Sequence, residues 1–190
     1  MKFVVMAGSV RSDRRGIRAA WFVERSLAAR GHDVTLVDPL EVELPLLDRM
    51  YKEYPKGAAP EVLERLATLY RASDGFVVVS GEYNHSIPPA LSNLLDHFLE
   101  EYFFRPSAIV CYSSGSFGGV RAAMQLRAML GELGMPSISS IFAIPKIDDA
   151  LGGDGTASDA AFERRFARFA VEFEWYAAAL SRARQDGMPY

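Results

Sequence analysis

Residues 82–86, with the sequence Glu-Tyr-Asn-His-Ser, follow an apolar run and come directly before a helical pattern that begins near Pro88. They offer an aromatic ring, a carboxylate, an amide and an imidazole for stacking and hydrogen bonding. In open α/β proteins the ligand site is formed by loops that follow the carboxyl ends of the strands. The segment therefore predicts a small-molecule site, although Asn and Ser are also ordinary turn and capping residues.

A second candidate segment, residues 8–16, follows the first apolar run and contains Ser9 and three arginines. It has neither the Gly-x-Gly-x-x-Gly pattern of dinucleotide sites nor the Gly-Lys-Ser/Thr ending of nucleotide triphosphatases. A hydroxyl, guanidinium groups and free amides at a helix start are typical of a site for one terminal phosphate. The alternative is a solvated basic loop with an ordinary helix cap, and the segment alone leaves both open.

A third candidate segment, residues 113–119, has the sequence Ser-Ser-Gly-Ser-Phe-Gly-Gly. Its glycines let the backbone approach a flat ligand closely and present N–H groups to its polar edge. By itself the segment is equally a flexible turn. If the three loops meet at one edge of a sheet, they would hold a phosphate at one end and a planar heteroaromatic ring at the other.

The elements that must position these loops alternate between short apolar runs and helical patterns. Strands are predicted over 2–7, 33–37, 74–80, 108–112 and 138–144. Helices are predicted over 17–30, 61–71, 87–100, 120–134 and 158–184. Strict alternation predicts an α/β fold, a doubly wound five-stranded parallel sheet with helices on both faces. We expect one domain over residues 1–190, with irregular segments at 39–60, which would either cover an acceptor site or pad the surface, and at 145–158.

Composition excludes several classes of protein. The net charge of −3 argues against a basic face that could bind nucleic acid. The sequence contains no apolar run of 18 residues that would predict a membrane span, so a cytoplasmic location is expected. The one cysteine, Cys111, lies in an apolar run and is predicted to be a small buried side chain. No metal site is predicted, because His32 and His97 lack companion ligands and residues 148–155 lack the spacing of a calcium loop.

Four motifs occur in order: Gly-Ser-Val-Arg at 8–11, Glu-Tyr-Asn-His-Ser-Ile-Pro at 82–88, Leu-Ser-Asn at 91–93 and Gly-Ser-Phe-Gly-Gly-Val-Arg-Ala at 115–122. In this combination the chain resembles the NADPH-dependent FMN reductase family, a flavodoxin-like group of FMN, quinone, azo-dye and chromate reductases, over about residues 2–145. The resemblance implies noncovalent FMN and hydride transfer from NADPH or NADH to a small acceptor, which would be free flavin, a quinone, an azo compound or a metal oxyanion. It implies no catalytic side chain, because flavin N5 would carry the chemistry.

The resemblance also assigns residues to the cofactor by position. Ser9, Arg11 and Arg15 would hold the FMN phosphate, and the loops at 82–85 and 113–116 would line the isoalloxazine ring. The complete predicted set is Gly8, Ser9, Val10, Arg11, Arg15, Gly16, Glu82, Tyr83, Asn84, His85, Ser113, Ser114, Gly115, Ser116 and Gly118.

The chain departs from the family pattern in three places. Gly81 stands where the family usually has Pro, which removes a rigid residue from the flavin loop. Ser92 stands where the family often has Lys, which removes a positive charge. Residues 13–16, with the sequence Asp-Arg-Arg-Gly, occupy the place where many relatives have a second hydroxyl group.

Two other functions could use the same pocket. A flavodoxin-type electron carrier would have a hydroxyl-rich phosphate loop and a strongly acidic docking face, unlike the Arg-rich loop and small net charge here. A flavin-binding, redox-sensing protein without significant turnover needs the same binding residues, so the sequence leaves that alternative open.

The resemblance further implies a homodimer or homotetramer. The residues at 98–104 include Phe98, Tyr102, Phe103 and Phe104, which predicts that the end of the third helix contributes to the subunit interface. The alternative is that these aromatic side chains cover the start of the fourth strand.

Overall fold

The computed structural model describes all residues from Met1 to Tyr190. The strands are β1 (Lys2–Ala7), β2 (Asp33–Val37), β3 (Gly75–Ser80), β4 (Ser107–Tyr112) and β5 (Ser137–Ile144). The helices are α1 (Gly16–Ala28), α2 (Glu61–Ala72), α3 (Pro89–Asp96), α4 (Val120–Glu132), the short α5 (Ile147–Ala150) and α6 (Ala160–Gln185).

All five strands are parallel and lie in the order β2-β1-β3-β4-β5. This is the flavodoxin-like order of a doubly wound sheet, and it confirms the predicted fold class. The predicted bounds of β1 and β2 match the structure, and the other three strands begin within one residue of their predicted starts.

The pattern of apolar residues explains the order of the strands. Every residue of β3 is buried, as are five of the six residues of β1 and of β4. These three strands are central and are covered on both faces, so they require continuous apolar runs. The edge strand β2 alternates between exposed and half-buried positions before its buried last residue, because only one of its faces is covered.

Helices cover the two faces of the sheet in separate layers. One layer contains α1 and α6, and the other contains α2, α3 and α4. The aromatic stripe predicted for the last helix is confirmed as core, since its phenylalanines pack against α1 and the sheet. The buried members of the stripe are Phe162, Phe166, Phe169, Phe173 and Ala177.

The prediction for the end of the third helix is wrong in its details. The helix ends at Asp96, and a 3-10 turn at Glu100–Tyr102 brings the following aromatic side chains back onto the sheet. Phe98 and Tyr102 are fully buried and pack against Tyr70. These two side chains therefore belong to the core under strand β4 and cannot form a subunit interface.

The remaining two aromatic side chains of that segment are also covered in part. Phe103 and Phe104 are half-buried and contact the ring of Tyr190 at the end of the chain. Cys111 is buried as predicted, and burial raises the pKa of its thiol to about 12. None of the helices has the length and apolar character needed to cross a membrane. The cytoplasmic location stays a prediction.

Candidate functional site

A cavity of about 240 Å³ lies at the carboxyl edge of the sheet, between the loops that follow β1, β3 and β4. The strands β1 and β3 are neighbours, but the helices that follow them lie on opposite faces of the sheet. Such a switch point opens a crevice in doubly wound folds. The cavity is lined by Ser9, Arg11, Asp13, Arg14, Arg15, Gly81, Glu82, Tyr83, Tyr112, Ser113 and Ser114.

The three arginines of the first loop have different partners. Arg14 donates a hydrogen bond of 2.5 Å from Nη2 to Oδ2 of the buried Asp38 and one of 3.2 Å to the carbonyl oxygen of Ser9. Arg15 lies 3.1 Å from the carboxylate of Asp148. Arg11 is exposed, lines the cavity and has no carboxylate partner. Its positive charge is therefore the one in this loop that is available to an anion.

Ser9 joins the first loop to the second. Its side chain is buried, and its Oγ accepts a hydrogen bond of 3.4 Å from the backbone N–H of Arg11. The same Oγ lies 3.5 Å from the hydroxyl of Tyr83. Two hydroxyl groups thus meet beside the unpaired guanidinium group, which provides donors for a phosphate.

Glu82 joins the second loop to helix α4. One carboxylate oxygen accepts hydrogen bonds from the backbone N–H groups of Arg121, at 3.0 Å, and Ala122, at 3.2 Å. The other carboxylate oxygen lies 3.4 Å from the guanidinium group of Arg121. The carboxylate therefore caps the first turn of α4 and holds the loop against this helix.

Asn84 and His85 form the exposed tip of the second loop. Both have positive φ values, 52° and 64°, in a tight turn closed by hydrogen bonds between Tyr83 and Ser86. Two successive left-handed residues are the geometry of a type I′ turn. Gln125 of α4 donates a hydrogen bond of 2.8 Å to the carbonyl oxygen of His85. The tip is thus fastened to α4, and neither of its two side chains lines the cavity.

The third loop is shaped by its own hydrogen bonds and by glycine. The Oγ of Ser113 accepts a hydrogen bond of 2.8 Å from the N–H of Gly118. Gly119 has a φ of 78°, and a Cβ atom there would lie 2.8 Å from the carbonyl oxygen of Tyr112. Ser114 reaches across the cavity to accept a hydrogen bond of 2.7 Å from Arg15. Gly115 and Ser116 are exposed and lie outside the cavity lining.

The remaining predicted residues support the loops from outside the cavity. A Cβ atom at Gly8 would lie 2.6 Å from the carbonyl oxygen of Val79, so the first loop packs directly on β3. The side chain of Val10 points away, toward a neighbouring apolar pocket of about 310 Å³ that includes Leu44 and Leu46 of the 39–60 segment. Gly16 is buried at the start of α1.

Four residues of the cavity lining were not predicted: Asp13, Arg14, Gly81 and Tyr112. Tyr112 is the last residue of β4 and is half-buried. Burial raises the pKa of its hydroxyl to about 12, while the nearby Ser9, Arg11 and Arg14 act in the opposite direction. The one feature of the sequence that could have indicated Tyr112 is its position as a tyrosine at the carboxyl end of a central strand.

The residues present fit a flavin mononucleotide. The first loop offers Arg11, the Ser9 hydroxyl and the first turn of α1, which has no acidic residue and no side-chain cap. Such a helix start favours an anion. Gly81 lines the cavity, and a Cβ atom there or at Gly16 would meet the ring of Tyr112. No group of three His, Cys, Asp or Glu side chains is placed to hold a metal ion.

The comparisons with known proteins point to one family. The chain matches the family described as NADPH-dependent FMN reductase over residues 1–149. It is 33% identical over 145 residues to an NAD(P)H-dependent FMN reductase of Schizosaccharomyces pombe, which covers 70% of this chain and 68% of that protein. It is 30% identical over 138 residues to a quinone reductase of Pseudomonas putida, which covers 70% of each chain.

A solved structure shows the same fold. FerB, a flavoenzyme NAD(P)H:(acceptor) oxidoreductase from Paracoccus denitrificans, superposes with a TM-score of 0.71 at 21% identity, over 95% of this chain and 97% of that chain. The family match spans most of the chain and includes all three loops of the cavity. The chain therefore belongs to the NADPH-dependent FMN reductase family of NAD(P)H oxidoreductases.

Proposed function

We propose that this protein transfers electrons from NADPH or NADH to a small acceptor, with FMN held in the cavity at the carboxyl edge of the sheet. The acceptor class is free flavin, a quinone, an azo compound or a metal oxyanion. The observation that carries the proposal is that one cavity combines the Ser9 hydroxyl and the Arg11 guanidinium group with the aromatic and serine side chains of the second and third loops. Bound FMN would supply the two-electron chemistry.

The residues of this chain would bind and orient the cofactor. Arg11 supplies a charge for the phosphate, and Ser9 a hydroxyl. Glu82 holds the second loop against α4, so that Tyr83 and the tip of the loop keep a constant distance from the third loop. The other members of the predicted set, including Asn84, His85, Gly115 and Ser116, stay proposed contacts of the ring. We propose no side chain as a catalytic acid, base or nucleophile.

Turnover distinguishes a reductase from a redox-sensing protein, because both would bind the same cofactor. The absorption spectrum of the purified protein should be that of a flavin, and anaerobic addition of NADPH should bleach it. Steady-state oxidation of NADPH should then depend on added quinone or FMN. Flavin that is reduced without acceptor-dependent turnover would favour the sensing alternative, and a colourless protein that takes up no FMN would refute the proposal.

We also propose that residues 1–190 form one flavodoxin-like, FMN-binding domain and that the domain forms a homodimer or homotetramer. The oligomer is supported by exposed apolar side chains beside the site. Phe117 of the third loop is 64% exposed, and Val120 and Met124 in the first turns of α4 are 37% and 52% exposed. Exposed groups of this kind often mark protein contacts.

Sedimentation at micromolar concentration tests the oligomer. Met124→Glu should dissociate it, because a charge would be buried in the interface. Val171→Glu is the matched control, since Val171 is 55% exposed on α6, in the opposite helix layer. A wild-type mass of 21.0 kDa would refute the oligomer. Equal dissociation by both variants would refute the assigned surface.

A further inference from the structure

Tyr112 occupies space that two glycines leave free. A Cβ atom at Gly16 would lie 2.2 Å from the Tyr112 hydroxyl oxygen, and a Cβ atom at Gly81 would lie 3.1 Å from it. The phenol therefore lies between the first turn of α1 and the start of the second loop. Any larger residue at position 16 would force it to move, since Cβ atoms do not approach other atoms within 3.0 Å.

The phenol joins parts of the chain that lie far apart in sequence. Gly16 begins α1 and Gly81 follows β3, and residues 13–16 carry no hydroxyl side chain at this helix start. The phenol brings a hydroxyl group to the same helix start from a different strand. A tyrosine and its two facing glycines thus form one connected feature of this chain.

The phenol lies among groups of the kind that bind anions. Tyr112 lines the cavity with Ser9, Arg11 and Arg14. The guanidinium groups of Arg11 and Arg14 and the side chain of Ser9 are near enough to influence its ionisation. The carboxylate of Asp38 neutralises Arg14. The donors left free beside the start of α1 are the Arg11 guanidinium group, the hydroxyls of Ser9 and Tyr112, and the first N–H groups of α1.

We propose that the Tyr112 hydroxyl donates a hydrogen bond to the phosphate of FMN at the start of α1, where residues 13–16 supply no hydroxyl group. The inference rests on the proposed binding of FMN in this cavity. Its pKa of about 12 keeps the phenol protonated at neutral pH, so it is a donor for an anion. A phenylalanine would fill the same floor of the cavity without this donor.

The test compares FMN with riboflavin, which lacks the phosphate. In Tyr112→Phe the dissociation constant of FMN, measured by quenching of flavin fluorescence, should rise about tenfold, because a hydrogen bond to a charged group is lost. The dissociation constant of riboflavin should change less than twofold. Tyr70→Phe is the matched control, since it removes the hydroxyl of a fully buried tyrosine that lines no part of the cavity, and both constants should keep their wild-type values.

The outcomes separate this inference from the proposed function. Wild-type protein that binds no FMN would overturn both. Wild-type binding with an unchanged FMN constant in Tyr112→Phe would overturn the role of Tyr112 alone. Equal weakening of FMN and riboflavin would also overturn it, because the phenol would then contact the part common to both ligands or support the cavity. Circular dichroism confirms that each variant keeps its fold.

Discussion

Replacing Arg11 by alanine should weaken FMN binding by about tenfold to a hundredfold. A hydrogen bond between charged groups contributes about 1.5–3 kcal/mol, and each 1.4 kcal/mol is a factor of ten in the dissociation constant. Arg11 is exposed, so water screens its charge, and the effect should lie near the lower end of this range. Arg11 is free to pair with an anion because it has no carboxylate partner, in contrast to Arg14 and Arg15.

The assay is a titration of each variant with FMN and with riboflavin, followed by flavin fluorescence. Arg18→Ala is the control, because Arg18 lies in the first turn of α1, shortly after the first loop, pairs with Asp148 and lines no part of the cavity. It removes the same charge from the same region and should change FMN binding less than twofold. Equal weakening of FMN binding by Arg11→Ala and Arg18→Ala would refute the role of Arg11. Equal weakening of riboflavin and FMN binding by Arg11→Ala would refute it as well.

Three further predictions concern the cavity rim, the core and the far edge of the sheet. Gly115→Val should keep the wild-type unfolding temperature, because a Cβ atom at this position meets nothing within 4 Å. The variant should purify without FMN, and stoichiometric bound flavin would contradict the predicted contact. Tyr70→Phe should raise the free energy of unfolding in urea by about 1 kcal/mol, since the buried Tyr70 hydroxyl has no hydrogen-bond partner, and a loss of stability would contradict this. The hydrogen bond from Arg30 lowers the pKa of Glu174 below its usual 4.5, so this stabilisation is present above that pH and is lost as the pH falls through the lowered value. Glu174→Gln should flatten that part of the stability profile, and parallel wild-type and variant profiles would count against it.

The fold could be predicted because its main signal is local. A central strand of a covered parallel sheet must be a continuous apolar run, and Gly75–Ser80 is such a run. The end of the third helix could not be predicted in the same way, because aromatic content does not say which surface a side chain meets. The helix ends at Asp96, and both Phe98 and Tyr102 are buried in the core, which only the three-dimensional path of the chain shows.

The candidate site was predictable as three loops but not as a set of contacts. The position of each loop after a strand follows from the alternation of elements. The pairing of Arg14 with Asp38 joins residues that are 24 positions apart and carries no local signal. Tyr112 could not be predicted as part of the site, because alternation along a strand does not say what lies beyond its last residue. Its facing partner Gly16 belongs to another element of the fold.

The capping of α4 by Glu82 limits the directions in which an anionic ligand can lie in the cavity. Three helices begin beside the cavity, and a helix start attracts negative charge. In α4 that place is taken by the carboxylate of Glu82, and α3 begins with Pro88 and Pro89, which have no N–H groups to offer. The start of α1 is left, so we expect the phosphate of FMN, bound as proposed, to lie at this helix start. The direction of the bound cofactor would then follow from which helix starts are already satisfied.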